Sequence, residues 1–262
     1  MHRMATSLVR TDAVRRLWRA VSEAREIRDG RAEQQVHVAS ELARIVNAQV
    51  CAFAMVEDFR PGGQGQVVSV QDCGWATSSE REFVWGTFGQ QGTIYDPVNQ
   101  VIMRNWNWTS PTELAVIRRE DVVANGDWYD APMIHDTYRP CRIDHSIYAM
   151  HGTGKPGQAY GLGIKKSWGE RPYSEEDRNL VELLVAECGW LWSPDRRLAV
   201  AALTPRERET LEYLLDGASL KEIAYELKLS RHTVDGYVKA IHKTLGVHSR
   251  AELVSRFLNA NR

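Results

Sequence analysis

The stretch LTPRERETLEYLLDGASLKEIAYELKLSRHTVDGYVKAIHKTLGVHSRAELV, Leu203 to Val254, decides the reading of this chain. Three of its helix starts repeat one chemistry: Thr204 stands three before Glu207, Ser219 three before Glu222 and Ser249 three before Glu252. A hydroxyl so placed accepts the N–H of the third helical residue while the carboxylate reaches back to the cap N–H, which satisfies two orphan donors together. Pro205 suits a first helical position, where its missing N–H costs nothing. The second start opens Leu220, Ile223, Ala224 and Leu227, one apolar face of about two helical turns. Lys228 and Leu229 leave room for only a tight turn. Ser230 then caps a longer helix with a buried stripe of Val234, Tyr237, Val238, Ile241 and Leu245, closed by Gly246 where a left-handed residue is wanted. The opposite face, Arg231, His232, Asp235, Gly236, Lys239 and Lys243, mixes cations with groups able to meet base edges, and it fits a DNA major groove.

This stretch resembles the LuxR-type, or NarL/FixJ-type, DNA-binding domain. The matching positions are Leu203, Thr204, Arg206 and Glu207 at the start and Lys221, Glu222, Ile223 and Ala224 in the scaffold. Ser230, Thr233 and Val234 open the reading helix, and Leu245, Gly246 and Val247 close it. The resemblance implies a four-helix unit whose third helix reads DNA and whose fourth helps it dimerise. The expected DNA contacts are Lys221, Ser230, Arg231, His232, Thr233, Asp235, Gly236, Lys239 and Lys243, with the lysines available to phosphates. The chain departs from the family at Asp235, usually lysine, at Tyr237, often histidine, and at Thr244, often lysine. A carboxylate at 235 loses a phosphate contact and can accept from a cytosine amino group.

With 262 residues the chain exceeds one average domain, and the remainder is large enough to bury its own core. The expected organisation is an input domain over 1–192, a linker over 193–202 and a helix-turn-helix domain over 203–262. All nine tryptophans lie at or before Trp192. The formal net charge is -1, and Leu203 to Arg262 holds ten Lys plus Arg against eight Asp plus Glu, so local placement must supply attraction to phosphates. Cys51, Cys73, Cys141 and Cys188 lack paired metal spacing, and no apolar leader opens the chain. The apolar run from Leu180 to Trp192 is broken by Glu182 and Glu187, short of a membrane span. A reducing cytoplasm without a membrane partner is the expectation.

In the first domain, Val14, Leu17, Trp18 and Val21 predict an amphipathic helix, and Val36, Ala39, Leu42, Ala43 and Val46 a second. Gln49 to Val56 and Gln66 to Gln71 predict strands around a hairpin loop at Pro61 to Gly65. Ser78 to about Gln90 returns to helical spacing. Gly92 to Arg119 predicts no regular element beyond a turn or cap at Ser110-Pro111-Thr112-Glu113. Two further strands, Ser146 to Met150 and Gln158 to Lys165, flank the turn-rich HGTGKPG, and Ser174 caps a last helix. The expected fold is α+β, a central antiparallel sheet flanked by helices, followed by the all-α four-helix unit. The order ending in RPYSEEDRNLVELLVAECGWLW resembles the GAF/PAS-like input domains of LuxR-type regulators. Tyr95-Asp96-Pro97-Val98, with Trp106 or Trp108, resembles the autoinducer-binding domain, which implies an aspartate and aromatics holding an acyl-homoserine lactone.

A small-molecule pocket needs an apolar concavity with a few fixed polar groups. The candidates for its wall are Trp75, Trp85, Tyr95, Trp106, Trp108, Trp128 and Tyr129, with Asp96 or Asp130 as orienting carboxylate. The competing reading is an ordinary aromatic core. His135, Cys141 and His145 have loose ligand spacing, but Arg139 and Arg142 among them would repel a cation, so neither metal nor cofactor is expected. Gly152, Gly154 and Gly157 spell a dinucleotide fingerprint, yet Pro156 and a following strand replace the phosphate-binding helix. No Gly-x-Ser-x-Gly or paired Cys and His supplies a nucleophile, so no catalytic residue is expected. The sequence therefore predicts a homodimeric regulator of transcription that binds double-stranded DNA under a small-molecule effector. The alternatives are an input domain that docks a protein, an acyl-homoserine lactone receptor, and an enzyme fused to a DNA-binding tail.

Overall fold

A computed structural model describes residues 9–105, 114–153, 155–192, 203–245, 247 and 249–258. The chain divides into two compact units, Met1–Trp192 and Ser193–Arg262.

In the first unit, α1 (Thr11–Glu26) and α2 (Arg31–Val46) precede the hairpin β1 (Val50–Glu57) and β2 (Gln66–Cys73), then α3 (Ser78–Gln91) and α4 (Pro97–Asn105). β3 (Leu114–Arg118), the short α5 (Arg119–Val122) and α6 (Asn125–Tyr129), β4 (Ile143–Gly152), β5 (Ala159–Ser167) and α7 (Glu175–Glu187) complete it. The strands form one antiparallel sheet in the order β2-β1-β5-β4-β3. Successive strand residues face opposite sides, so the sheet feeds two cores. One face, with Phe53, Ile147, Leu162 and Ile164, packs under α1, α2 and α7 through Leu17, Leu42, Val181 and Leu184. The other, with Val56, Tyr148, Met150 and Ala159, packs under α3 and α4 through Val84, Phe88, Ile102 and Met103.

Strands predicted at Gln49, Gln66, Ser146 and Gln158 are present; β1 is shifted by one residue, and β2, β4 and β5 run longer than predicted, the ladder continuing through pairs such as Ile143 with Ser167. β3 and α4 fall within the stretch read as irregular. The α4 start is nonetheless capped: the Val98 N–H donates to Asp96 Oδ1 at 2.9 Å, with Pro97 opening the helix. Ser174 and Asp177 form the reciprocal box that starts α7, at 3.1 and 2.9 Å.

The second unit contains α8 (Pro205–Leu215), α9 (Leu220–Glu226), α10 (Arg231–Leu245) and α11 (Arg250–Leu258) around Leu211, Leu214, Ile223, Val234, Ile241 and Leu253. Thr204 with Glu207 and Ser219 with Glu222 make the expected boxes. Ser249 accepts the Leu253 N–H through its carbonyl, while the Glu252 side chain, the 193–202 linker and Gly246 lie outside what is described. The tight turn between α9 and α10 turns at Lys228, whose φ of 54° is left-handed. The Leu229 N–H returns to the Ala224 carbonyl at 2.9 Å, which closes α9 although a lysine sits where glycine is usual.

Candidate functional site

A cavity opens over the middle of the sheet because of what β5 lacks. Opposed residues share a face, so the registers define two rows: Val70, Ala54, Gly161, Met150 and Ala115, and Asp72, Ala52, Gly163, Tyr148 and Ile117. The central positions of both rows carry glycine flanked on one side by alanine. No side chain fills the space between the sheet and α3, leaving a cavity of about 80 Å³. Several waters or a slim apolar group fit such a volume. Its walls are mostly apolar, with Trp75, Trp85, Phe88 and Val67 facing Tyr148 and Met150.

Polar groups hold these walls from behind. Trp75 and Trp85 donate their indole N–H groups to Asp72 Oδ2 at 2.8 and 2.5 Å, and Arg81 Nε donates to Oδ1 at 2.7 Å. The carboxylate turns both ring bodies toward the cavity, and the rings meet edge to face with centroids 6.3 Å apart. On the other side, Asp96 is fully buried and already coordinated. Tyr138 and Tyr148 donate to its Oδ2 at 2.9 and 2.5 Å. Lys165 Nζ lies 3.8 Å from the same oxygen and 3.8 Å from the Tyr148 ring centroid. Burial, followed by the Asp96 charge, pushes both phenols well above their usual range. Burial pulls Lys165 down to about 8 against the opposing attraction of Asp96.

Of the pocket candidates, Trp75 and Trp85 line the cavity. Asp96 stands behind Tyr138 and Tyr148 instead of presenting a free oxygen. Tyr95 turns outward and donates to Asp136 at 3.1 Å. Trp128 is core, packed on Tyr138 and under the Arg119 guanidinium. Tyr129 donates to both Asp144 oxygens, and Asp130 is exposed. The polar ends of Tyr95, Asp96 and Tyr129 have partners away from the cavity, while Trp128 is packed in the core and Asp130 faces solvent. Trp106 and Trp108 lie outside the described residues. Sequence reasoning missed Asp72, Tyr138, Tyr148, Lys165 and the paired glycines. A Gly-x-Gly-x-Lys alternation within one strand was the available signal, since period-two spacing puts all three on one face.

Arg119, almost wholly buried, joins a second polar knot. It donates to Asn125 Oδ1 at 2.5 Å and lies 3.4 Å from Glu120, whose Oε1 meets His145 Nδ1 at 2.5 Å. This knot occupies His145, and His135 is exposed. Among the described residues no group of three or more His, Cys, Asp or Glu is placed to hold a metal.

In the C-terminal unit, α10 buries Val234, Ile241 and Leu245, with Tyr237 and Val238 half-buried, and exposes Arg231, His232, Gly236, Lys239 and Lys243. Ser230 accepts the Thr233 N–H at 3.0 Å at the start of this helix. Lys221 is exposed on α9. Asp235 and Lys239 pair at 2.8 Å one turn apart, and Lys239 holds the Asp235 carboxyl below its usual range.

Residues 201–257 match the model of the bacterial regulatory proteins of the luxR family. The spore germination protein GerE of Bacillus subtilis is 41% identical over 56 residues, 21% of this chain and 76% of that protein. The probable HTH-type transcriptional regulator GfsR of Streptomyces halstedii is 44% identical over 57 residues, 22% of this chain. The chain spans only about a quarter of the length of GfsR. Escherichia coli SdiA covers 91% of this chain and 94% of its own at 12% identity, with a TM-score of 0.42, too remote to bear on ligand or function. Among the described residues no helix is long and apolar enough to cross a membrane. Since its C-terminal unit matches the family model and spans three-quarters of GerE at 41% identity, the chain belongs to the luxR family of bacterial regulatory proteins.

Proposed function

We propose that the chain is a sequence-specific DNA-binding regulator of transcription. In this reading residues 1–192 form a sensory unit, 193–202 a linker and 203–262 the DNA-binding unit of a cytoplasmic homodimer controlled by a small-molecule effector. The observation that carries the reading is the division of α10: its apolar stripe is taken up by the unit's own core, while its cations stay in solvent. The apolar cavity between sheet and α3 supports the sensory role. Selection of duplexes from a random-sequence library by the full chain tests the DNA role. A common enriched sequence is expected, and a pool that stays random sinks it. Native mass spectrometry of protein purified from its own host tests the effector.

The groove-facing set is Ser230, Arg231, His232, Thr233, Asp235, Gly236 and Lys239, with Lys221 and Lys243 toward phosphates. Asp235 competes with a DNA phosphate for Lys239, so the two residues act in opposite directions. Lys239→Ala is expected to weaken binding to any duplex and to flatten the plot of log affinity against log salt by roughly one unit. Asp235→Asn is expected to strengthen non-specific binding. Fluorescence anisotropy at several salt concentrations measures both: an unchanged affinity and slope in Lys239→Ala remove Lys239 from the phosphate contacts, and weakened binding in Asp235→Asn rejects the competition.

We read the chain as a regulator without enzymatic activity. Asp96, Tyr138 and Tyr148 are engaged with one another, which leaves none of the three free to act as acid or base toward the cavity.

A further inference from the structure

We propose that Cys51 and Cys73 form an oxidant-sensitive pair, in which a peroxide oxidises Cys73 and Cys51 then closes a reversible disulfide across β1 and β2 without displacing the backbone. The two residues are directly opposed in the antiparallel register, so their side chains leave the same face of the sheet, toward α1 and α2. Opposed Cα atoms stand about 4.5–5.5 Å apart, inside the span of about 4.4–6.8 Å that a disulfide bridges. The Cys73 Sγ already lies over Cys51, donating to its carbonyl oxygen at 3.7 Å. The register is pinned at this end, because Gly74 follows with a φ of 93° and a Cβ there would collide with the Gln49 carbonyl. Both thiols are free.

Access divides the roles. β2 is an edge strand and Cys73 is half-buried, whereas Cys51 is fully enclosed, so an oxidant from solvent meets Cys73 first. The Cys73 thiolate attacks one peroxide oxygen, the O–O bond breaks, and a sulfenic acid and water result. The Cys51 sulfur attacks the Cys73 sulfur, its proton leaves with the displaced hydroxide as a second water, and the S–S bond forms. One peroxide is thereby reduced to two waters as two thiols give up two electrons. Burial raises both thiols above their ordinary range, while Ser40 and Arg44 on α2 draw Cys73 the other way. Thiolate is therefore scarce at neutral pH, and bridging needs sustained oxidant.

The test exposes the folded full chain to hydrogen peroxide at neutral pH, alkylates the remaining thiols in urea and maps the peptides, in wild type and in Cys51→Ser. Wild type is expected to fall from four free thiols to two, with residues 51 and 73 joined and dithiothreitol restoring all four. Cys51→Ser should form no bridge, and dimedone, which traps sulfenic acids, should label Cys73 there and leave wild-type Cys73 unlabelled. The bridged chain should unfold at higher urea than the reduced one, since the bridge closes the loop 51–73 in the unfolded state. Four surviving thiols, a bridge joining any other pair, or equal dimedone labelling of both proteins overturns the proposal. A lower urea midpoint on bridging overturns closure without displacement of the backbone. Should Cys51→Ser not fold, the peptide map and the midpoint of wild type decide alone.

Discussion

Asp96→Ala is expected to destabilise the first unit by about 3–5 kcal/mol, the usual cost of removing one member of a buried ion pair. One substitution leaves Lys165 buried without its counter-charge, strips the acceptor from the Tyr138 and Tyr148 hydroxyls and removes the cap from α4. The cap alone is worth about 1 kcal/mol, and each stranded hydroxyl about 1–3 kcal/mol. These losses share partners and do not add. For a unit of this size the melting temperature should fall by roughly 10 °C. Because all nine tryptophans lie at or before Trp192, urea unfolding followed by tryptophan fluorescence reports on this unit. In a Lys165→Met background the same substitution should cost substantially less. An equal cost in both backgrounds would deny the coupling, and a total cost below about 1 kcal/mol would deny that the cluster matters to the fold.

The second large effect is alkaline lability. Burial raises Tyr138, Tyr148, Tyr173 and Cys51 well above their ordinary values and Cys188 to about 11. The unfolded chain releases these protons near their ordinary values while the folded chain keeps them, so each group favours the unfolded state by up to about 1.4 kcal/mol per pH unit once its unfolded pKa is passed. Lys165 acts the other way. Its folded pKa of about 8 lies below the unfolded one, so between about 8 and 10.4 the unfolded chain holds more protons and stability gains from this group as pH rises. One cation cannot offset two thiols above about 8.5 and three phenols above about 10. The urea midpoint should therefore decline above about pH 9 and collapse between about 10 and 11. Phenolate absorbance from the three buried tyrosines should appear together with loss of native fluorescence. Titration of those phenols while the native signal persists would reject their burial as the cause.

How much of this was legible in the sequence depends on the range of the interaction. The starts of α7, α8 and α9 are decided by a hydroxyl and a carboxylate three residues apart, and such a contact is complete within one turn. The inward stripe of α10 is local for the same reason, since the period of the helix puts residues on one face before any tertiary contact exists, and β1 was legible as a compact apolar run bounded by charge. Even α4, read as irregular, carried its start in Asp96-Pro97, a cap and a first-turn proline. β3 left only a weak trace, because its five residues Leu114–Arg118 owe their strand conformation to pairing with β4.

The cavity belongs to a different range. Gly161 and Gly163 become a gap only when Ala52, Ala54 and α3 are brought against them. Asp72 becomes the holder of two indoles only because β2 pairs beside β1. Asp96, Tyr138, Tyr148 and Lys165 stand far apart along the chain, so their meeting is a product of strand register and helix placement. The sequence alone determined the luxR-type unit, because its signals are caps and stripes closed within a few residues. The tertiary structure alone decided where the cavity lies and which buried groups meet beside it, because a void and a buried ion pair are properties of assembled layers.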